Sequence, residues 1–566
     1  MPADREIELK FLVPRHAREA LAAEMARASA TLERRSLAAI YLDTPDRRLA
    51  REGIAWRLRR EGRRWVQTLK AAGPNALERF EHEVLRPGAI PDASLHAGTG
   101  VGDRLMSLLR KAESAGKVAG VRYRTEVRRT LRRVRTRGAV VEVAFDEGRI
   151  LAGGGPASAS GAQAPPRPLR ICEIEFELVS GSPRAMLALA ERWRKRFGLI
   201  LDPRSKAERG DRLAEGSPFP SLRKGLAPDY PRDETAIEAF GSVLDECLAQ
   251  VLRNAIGLID GDPAMRVDHV HQLRVGIRRL RSGLRSFRGW VPAPPQPLVD
   301  GLRELFATLG MSRDADVLDS GVARSLSEAG APPLVARPAG AGPDPREALR
   351  SATVQQLLLA WLDWRVGLVD DALAQARQAA PAQVVDSGLE AGVGADAGVG
   401  VGVGVGATLA DVGAAPIDAG AGMARGAGQV LACGSDPADF HRLAERRLRR
   451  WHRRLAADAK AFDTLDDTAL HSLRKRIKRQ RYAVEFFAPV LRHAMLARYL
   501  KRLTAVQDRM GELNDLFVAR ARYQALVAQD PAAWFALGWL AARIAEVKAL
   551  AEPTLRRLAR TDPPAR

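Results

Sequence analysis

Glu6, Glu8 and Lys10 stand at alternate positions of the segment Glu6-Ile7-Glu8-Leu9-Lys10. In an extended strand such residues share one face, so two carboxylates and an ammonium would project together. The alternation recurs at Arg57 and Arg59, at Glu81 and Glu83, at Glu142 and Asp146, and at Glu173, Glu175 and Glu177. The intervening positions are apolar: Ile7, Leu9 and Phe11, then Leu58, then Val141, Val143 and Phe145, then Ile174, Phe176 and Leu178. A sheet with one wet face explains any single strand of this kind. Several strands that each align like-signed charges, some acidic and some basic, point instead to a sheet closed with its charged faces inward around a hydrated bore. There Arg and Lys would hold phosphate oxygens, Arg in bidentate fashion. The carboxylates would serve as hard oxygen ligands for Mg2+ or Mn2+, and the cation would relieve the repulsion among them.

A second pattern lies further along the chain. His271, Arg274, Arg278, Arg281 and Arg285 fall at i, i+3, i+7, i+10 and i+14, which is one stripe of a helix. Two hundred residues later His471, Arg474, Lys478, Arg481 and Glu485 repeat the spacing. The apolar partners repeat as well: Leu273 with Leu473, Ile277 with Ile477, Leu284 with Val484, Phe287 with Phe487. After each stripe a Gly precedes a polar pair, Gly310 before Arg313-Asp314 and Gly511 before Asn514-Asp515. A single Arg stripe is usually a solvated helix face. Its duplication with His in the same place argues for two basic stripes facing each other across a groove that accepts an extended polyanion. The His would add a donor, or a charge when protonated, against a plain capping or packing role. Glu485 opposite Arg285 makes the two halves unequal.

The elements that must position these residues change character along the chain. Residues 1–215 read as short strands, among them Ile7 to Phe11, Trp56 to Arg59, Trp65 to Leu69, Val140 to Phe145 and Ile171 to Leu178. Gly153 to Pro168 is a Gly/Ala/Ser/Pro-rich excursion that reads as a loop. A Pro-punctuated linker spans 216–234. Helical periodicity fills 235–379 and 436–558, and a tail follows at 559–566. Between the helical halves, 380–435 is an Ala/Gly/Val low-complexity insertion expected to be disordered, because it cannot offset its ordering entropy by packing. The fold class expected is multidomain α+β: an eight-stranded antiparallel β-barrel tunnel, then an all-α duplicated helical bundle.

The strand blocks resemble the CYTH domain of the triphosphate tunnel metalloenzymes. Glu6-Ile7-Glu8-Leu9-Lys10 looks like its E-x-E-x-K signature. Arg57-Leu58-Arg59, Thr68-Leu69-Lys70, Arg79-Phe80-Glu81-His82-Glu83, Cys172 to Glu177 and Ser205 to Gly210 follow in the family's order. The resemblance implies a tunnel that binds a triphosphate and hydrolyses or cyclises it with a divalent metal, Mg2+ or Mn2+. It implies a catalytic centre at Glu6, Glu8 and Lys10, and a metal-side set of Glu6, Glu8, Glu173, Glu175, Glu142 and Asp146. It implies triphosphate contacts from Lys10, Arg57, Arg59, Lys70, Arg129 and Lys206. Arg122, Arg124 and Arg128 crowd the strand of Arg129, and parity alone does not choose among them. The helical part resembles the CHAD domain (conserved histidine α-helical domain), apart from the low-complexity insertion. That resemblance implies binding of inorganic polyphosphate by His271, Arg274, Arg278, Arg281, His471, Arg474, Lys478 and Arg481.

Composition bounds these readings. The 566 residues carry 89 basic and 68 acidic side chains, a net charge of +21. Residues 1–215 hold 42 basic and 28 acidic residues, so two thirds of the excess lies in the strand-rich part. Such a balance points to polyanionic partners. Aromatics are only 5% and do not interleave with the basic stripes, which argues against nucleic-acid bases as ligands. Three scattered cysteines (Cys172, Cys247, Cys433) fit a reducing compartment. The first residues do not read as a signal peptide, and the apolar run from Asp396 to Asp411 is too short and Gly-rich to span a bilayer. A cytoplasmic protein is expected, with association with polyphosphate granules left open. The function expected is hydrolysis of inorganic triphosphate with attached polyphosphate binding. Adenylate cyclase or thiamine-triphosphatase chemistry in the same tunnel is an alternative, as is a non-catalytic polyphosphate or nucleic-acid binder.

Overall fold

The computed structural model describes residues 4–27, 31–152, 167–320, 322–331, 344–372 and 436–564. Most of the Gly153–Pro168 excursion and the whole of 380–435, with its apolar run and Cys433, lie outside the described residues.

The strand-rich part runs β1 (Arg5–Leu12), α1 (Arg18–Met25), β2 (Glu33–Asp43), α2 (Arg48–Arg51), β3 (Ile54–Glu61), β4 (Arg64–Ala72), β5 (Glu78–Arg86), α3 (Gly100–Glu113), β6 (Gly120–Thr136), β7 (Ala139–Ala152), β8 (Arg167–Gly181), α4 (Pro183–Phe197), β9 (Ile200–Leu201) and α5 (Lys206–Ala214). The sheet order is β5-β4-β3-β2-β6-β7-β8-β1, and pairing of β5 with β1 closes eight antiparallel strands into a barrel. The two residues of β9 extend the far edge of β1. Closure decides which face is buried against what. Phe11, Phe145 and Phe176 point outward into a core under α4, where Phe176 meets Trp193 edge-on with ring centroids 5.9 Å apart. The charged positions are left facing inward. Register sets several of them directly across from one another: Lys10 opposite Glu175, Arg129 opposite Asp146, Asp146 opposite Glu173, and Glu142 opposite Glu177.

After residues 216–234, which form neither helix nor strand, the chain is helical. It runs α6 (Ala236–Asp260), α7 (Arg266–Ser286), α8 (Gln296–Ser320), α9 (Val322–Glu328), α10 (Pro345–Arg350), α11 (Ala352–Val366), α12 (Pro437–Lys460), α13 (Asp467–Phe486), α14 (His493–Leu526) and α15 (Ala533–Ala559). The duplication is visible in the architecture: α6, α7 and α8 are matched by α12, α13 and α14 about 200 residues later. Equivalent aromatics meet at the centre. Phe287 and Phe487 lie 5.1 Å apart, and each touches the other repeat's counterpart or its own at Phe240 and Phe440. A capping box, Thr235 with Glu238, starts α6 and satisfies its first amides.

The barrel and the helices share one continuous apolar core. Helix α11 packs on α4 and on β9, where Gln355 Oε1 accepts from the Leu201 amide at 2.8 Å. Arg184 reaches Asp363 and Asp371, and Arg204 reaches Asp260.

Candidate functional site

The bore of the barrel is a cavity of about 520 Å3. Its wall includes Glu6, Glu8 and Lys10 from β1, Arg57 and Arg59 from β3, Lys70 from β4, Arg129 from β6, Glu142 and Asp146 from β7, Glu175 from β8 and Lys206 from α5. Among the sequence-derived barrel residues, Glu173 alone is outside this wall; it sits just behind, held by Lys206 and by Arg209 at 2.7 Å. The register also selects among the crowded arginines of β6. Arg129 shares inward parity with Tyr123, Thr125 and Val127, whereas Arg122 pairs with Glu215 and Arg128 is exposed on the outer face.

Helix α5 is capped by Ser205, whose hydroxyl accepts from the Glu208 amide, and it lies on β6 and β7. That placement delivers the Lys206 ammonium to Asp146 (2.6 Å), Glu173 (2.5 Å) and Glu175 (2.9 Å). Carboxylate oxygens of these three buried acids lie within 4.8 Å of one another. Arg129 completes the cluster with bonds of 2.7 Å to Asp146 and 2.6 Å to Glu175. Burial opposes the charge on Lys206, but Asp146, Glu173 and Glu175 outweigh it and hold the ammonium well above its usual range. Burial likewise opposes ionisation of Glu175, and Lys10 and Lys206 outweigh it, so the carboxyl lies well below its usual range.

Charge is less balanced toward the other end. Glu177 has a carboxyl pushed up to about 8, first by burial and then by Glu6, with Glu142 and Glu81 adding repulsion. Arg59 is pushed below its usual range by burial and by neighbouring Arg57, although Glu83 and Glu61 face it. Lys70 bridges Glu6 at 2.9 Å and Glu81 at 2.8 Å, and Lys10 bridges Glu8 at 3.2 Å and Glu175 at 2.9 Å. Clustered carboxylate oxygens such as those of Asp146, Glu173 and Glu175 are the donor set a hard divalent cation suits. The residues present fit a divalent metal ion.

Several bore residues carried no metal or phosphate role in the sequence reading, although its charge alternation turned Glu81, Glu83 and Glu177 inward. Arg79 pairs with Glu8, and Glu81, Glu83 and Glu177 line the same wall. Alternate-position parity with their neighbours was the available signal. Tyr41, hydrogen-bonded to Arg57 and stacked on Tyr123 at 4.6 Å, gave no such signal because nothing charged repeats around it. Arg253 of α6 also lines the bore, and no local pattern could have revealed that.

In the helical part α7 and α13 pack together, which brings residues of the two basic stripes near one another. Arg278 lies close to Arg474 and Lys478, and neither Arg278 nor Lys478 forms an ion pair among the described residues. Lys478 is pushed down to about 7, by burial first and then by Arg474 and Arg278. Arg274 donates to the Leu309 carbonyl at 2.9 Å and lies over the Phe306 ring, with Arg281 beside it. Arg481 is neutralised by Glu485 at 2.5 Å, so the inequality between the repeats is real at that position. His471 bonds Asn514 of the repeated polar pair; His271 stands half-buried at the equivalent place on α7. The side chains of Arg313 and Asp314 lie outside the described residues.

Fold and site thus define a closed barrel with an ion-lined tunnel, joined to a duplicated helical module. Residues 4–210 match the CYTH domain family model, and residues 242–394 and 410–524 match that of the CHAD domain, so the chain belongs to the proteins that carry a CYTH domain followed by a CHAD domain. CYTH members are triphosphatases or cyclases, metal-dependent enzymes whose tunnels bind triphosphate substrates. Among solved structures, the CHAD domain of the plant Ricinus communis is 23% identical, covering 61% of this chain and 99% of its own, with a TM-score of 0.38. A putative adenylyl cyclase from Hippeastrum, described as having a dominant triphosphatase activity, is 20% identical over 37% of this chain and 96% of its own, with a TM-score of 0.25. The inorganic triphosphatase NE1496 is 20% identical over 32% of this chain and 78% of its own, with a TM-score of 0.14.

Proposed function

We propose that the tunnel hydrolyses inorganic triphosphate with Mg2+ or Mn2+, and that the helical groove binds polyphosphate. The observation that carries the first reading is the bore itself. Lys10, Arg57, Arg59, Lys70, Arg129 and Lys206 converge from four strands and a helix on one cavity that is also lined by carboxylates. Those cations would grip the oxygens of a phosphate chain and hold it straight, so that attack and departure are in line. A divalent cation held by Glu6, Glu8, Glu173 and Glu175, with Glu142 and Asp146 beside them, would neutralise charge on the transferring phosphoryl group. Water is the attacking group in this reading, and no side-chain nucleophile is required.

The groove reading rests on Arg278, Arg474 and Lys478, cations crowded together so that burial and mutual repulsion on Arg474 and Lys478 outweigh the one carboxylate near them, Asp515. An extended polyanion would relieve that repulsion. No helix among the described residues is long and apolar enough to cross a membrane, in keeping with a proposed cytoplasmic setting.

The test is phosphate release from inorganic triphosphate with Mg2+ or Mn2+, with ATP assayed in parallel. Glu6→Gln and Glu8→Gln should each lower the rate by about 100-fold or more. A substantial rate in both variants would contradict the metal assignment, and a cyclic product from ATP without triphosphate turnover would favour the cyclase alternative. Labelled polyphosphate should bind the groove and resist competition by DNA at one fixed salt concentration.

A further inference from the structure

Arg253 is the one bore-lining residue among the described residues that comes from the helical module, since every other lining residue lies at or before Asp211. It projects from α6 toward α5 and pairs with Glu208. Glu208 lies two residues beyond Lys206, the ammonium that joins Asp146, Glu173 and Glu175. The Glu208 carboxylate also acts on Arg79, and Arg79 holds Glu8. The α5 end of the bore is therefore bordered by two ion pairs, Arg253 with Glu208 and Arg79 with Glu8, coupled through the field of Glu208 on Arg79. The Arg253 side chain is 35% exposed, so solvent and ligand can reach its guanidinium beside Glu208.

We propose that Arg253 is a phosphate-binding guanidinium at the α5 end of the tunnel, selecting inorganic phosphate chains longer than triphosphate. This rests on the phosphate reading of the bore and adds to it a residue from the other domain. Helix α6 lies outside the barrel wall, so Arg253 reaches the part of a chain that emerges from the bore, while the cations on the strands hold the part within. A phosphate oxygen would replace the Glu208 carboxylate as its partner, one charge-assisted bond for another. The helical module would then shape substrate choice by direct contact, in addition to any gain in local concentration from its groove.

The experiment uses the full chain with Arg253→Ala and, separately, Glu208→Gln. Steady-state constants are measured with Mg2+ on inorganic triphosphate and inorganic tetraphosphate, and dissociation constants for both by calorimetry in EDTA. Arg253→Ala should raise KM and Kd for tetraphosphate about tenfold, with less than about a twofold change for triphosphate and an unchanged kcat. Glu208→Gln breaks the same interdomain pair but frees the guanidinium, so tetraphosphate binding should stay equal or tighten. Unchanged tetraphosphate constants in Arg253→Ala would overturn the proposal. So would an equal loss in both variants, which would make the pair a strap between domains. A wild-type chain that binds triphosphate without hydrolysing it would sink the hydrolase reading alone, because the calorimetric comparison still decides the role of Arg253. Absence of any phosphate binding would sink both.

Discussion

At the residue scale the sharpest lever is Lys478. Burial, Arg474 and Arg278 hold its ammonium down at about 7, with Arg481 adding repulsion and Asp515 opposing it. An unfolded lysine titrates near ~10.4. Between these values the unfolded chain binds more protons, so this residue's contribution to stability rises with pH across that window and is least favourable below about 7. A bound polyanion reverses the preference and draws a proton onto Lys478. Polyphosphate binding near pH 8 should therefore take up protons and weaken as pH rises, whereas Lys478→Arg, which stays charged, should bind with little pH dependence. Calorimetry in two buffers of different ionisation enthalpy reads this directly, and equal heats in both would refute it. The stripe spacing exposed Lys478 in the sequence. Its depressed basicity was hidden, because burial dominates it and Arg278, two hundred residues away on α7, adds to the repulsion from Arg474.

At the element scale the placement of α5 decides whether Lys206 reaches its carboxylates. Gly210 lets that helix lie flat on the barrel: a Cβ there would meet the Tyr123 ring at 2.2 Å, and Tyr123 is itself stacked on Tyr41. In an isolated helix Gly→Ala gains up to about 1 kcal/mol. Gly210→Ala should nevertheless lower the melting temperature, because overpacking costs about 1–3 kcal/mol and the ring has a stacked neighbour behind it. It should also raise KM for triphosphate by displacing Lys206. A variant more stable than the parent would show that α5 does not bear on Tyr123 as described. The motif Ser205 to Gly210 was legible as a block in the sequence, and its Gly now has a steric reason.

At the scale of the whole molecule, barrel and helices are not beads on a string. The apolar outer faces of β1, β7 and β8 share a core with the helices, and β9 is tied to Gln355 of α11. Arg184, Arg204 and Arg253 each cross the boundary to an acidic partner. Exposing that apolar interface would cost both parts, so scanning calorimetry of the full chain should show one cooperative transition, shifted upward by triphosphate. Two transitions, with only one responding to ligand, would show that the parts unfold independently.

Period-two charge on several strands and a helical stripe repeated at a fixed offset were readable from residues 6–10, 57–59, 173–177, 271–281 and 471–481, because side-chain direction in strands and helices follows from backbone geometry alone. That already determined which residues share a face. It could not determine what the face meets. Pairing of β5 with β1 turned the charged faces inward, strand register singled out Arg129, and docking of α6 against α5 carried Arg253 to the tunnel. Each of these depends on contacts between residues far apart in the chain, whose free energy is set by packing and desolvation in three dimensions rather than by any local pattern.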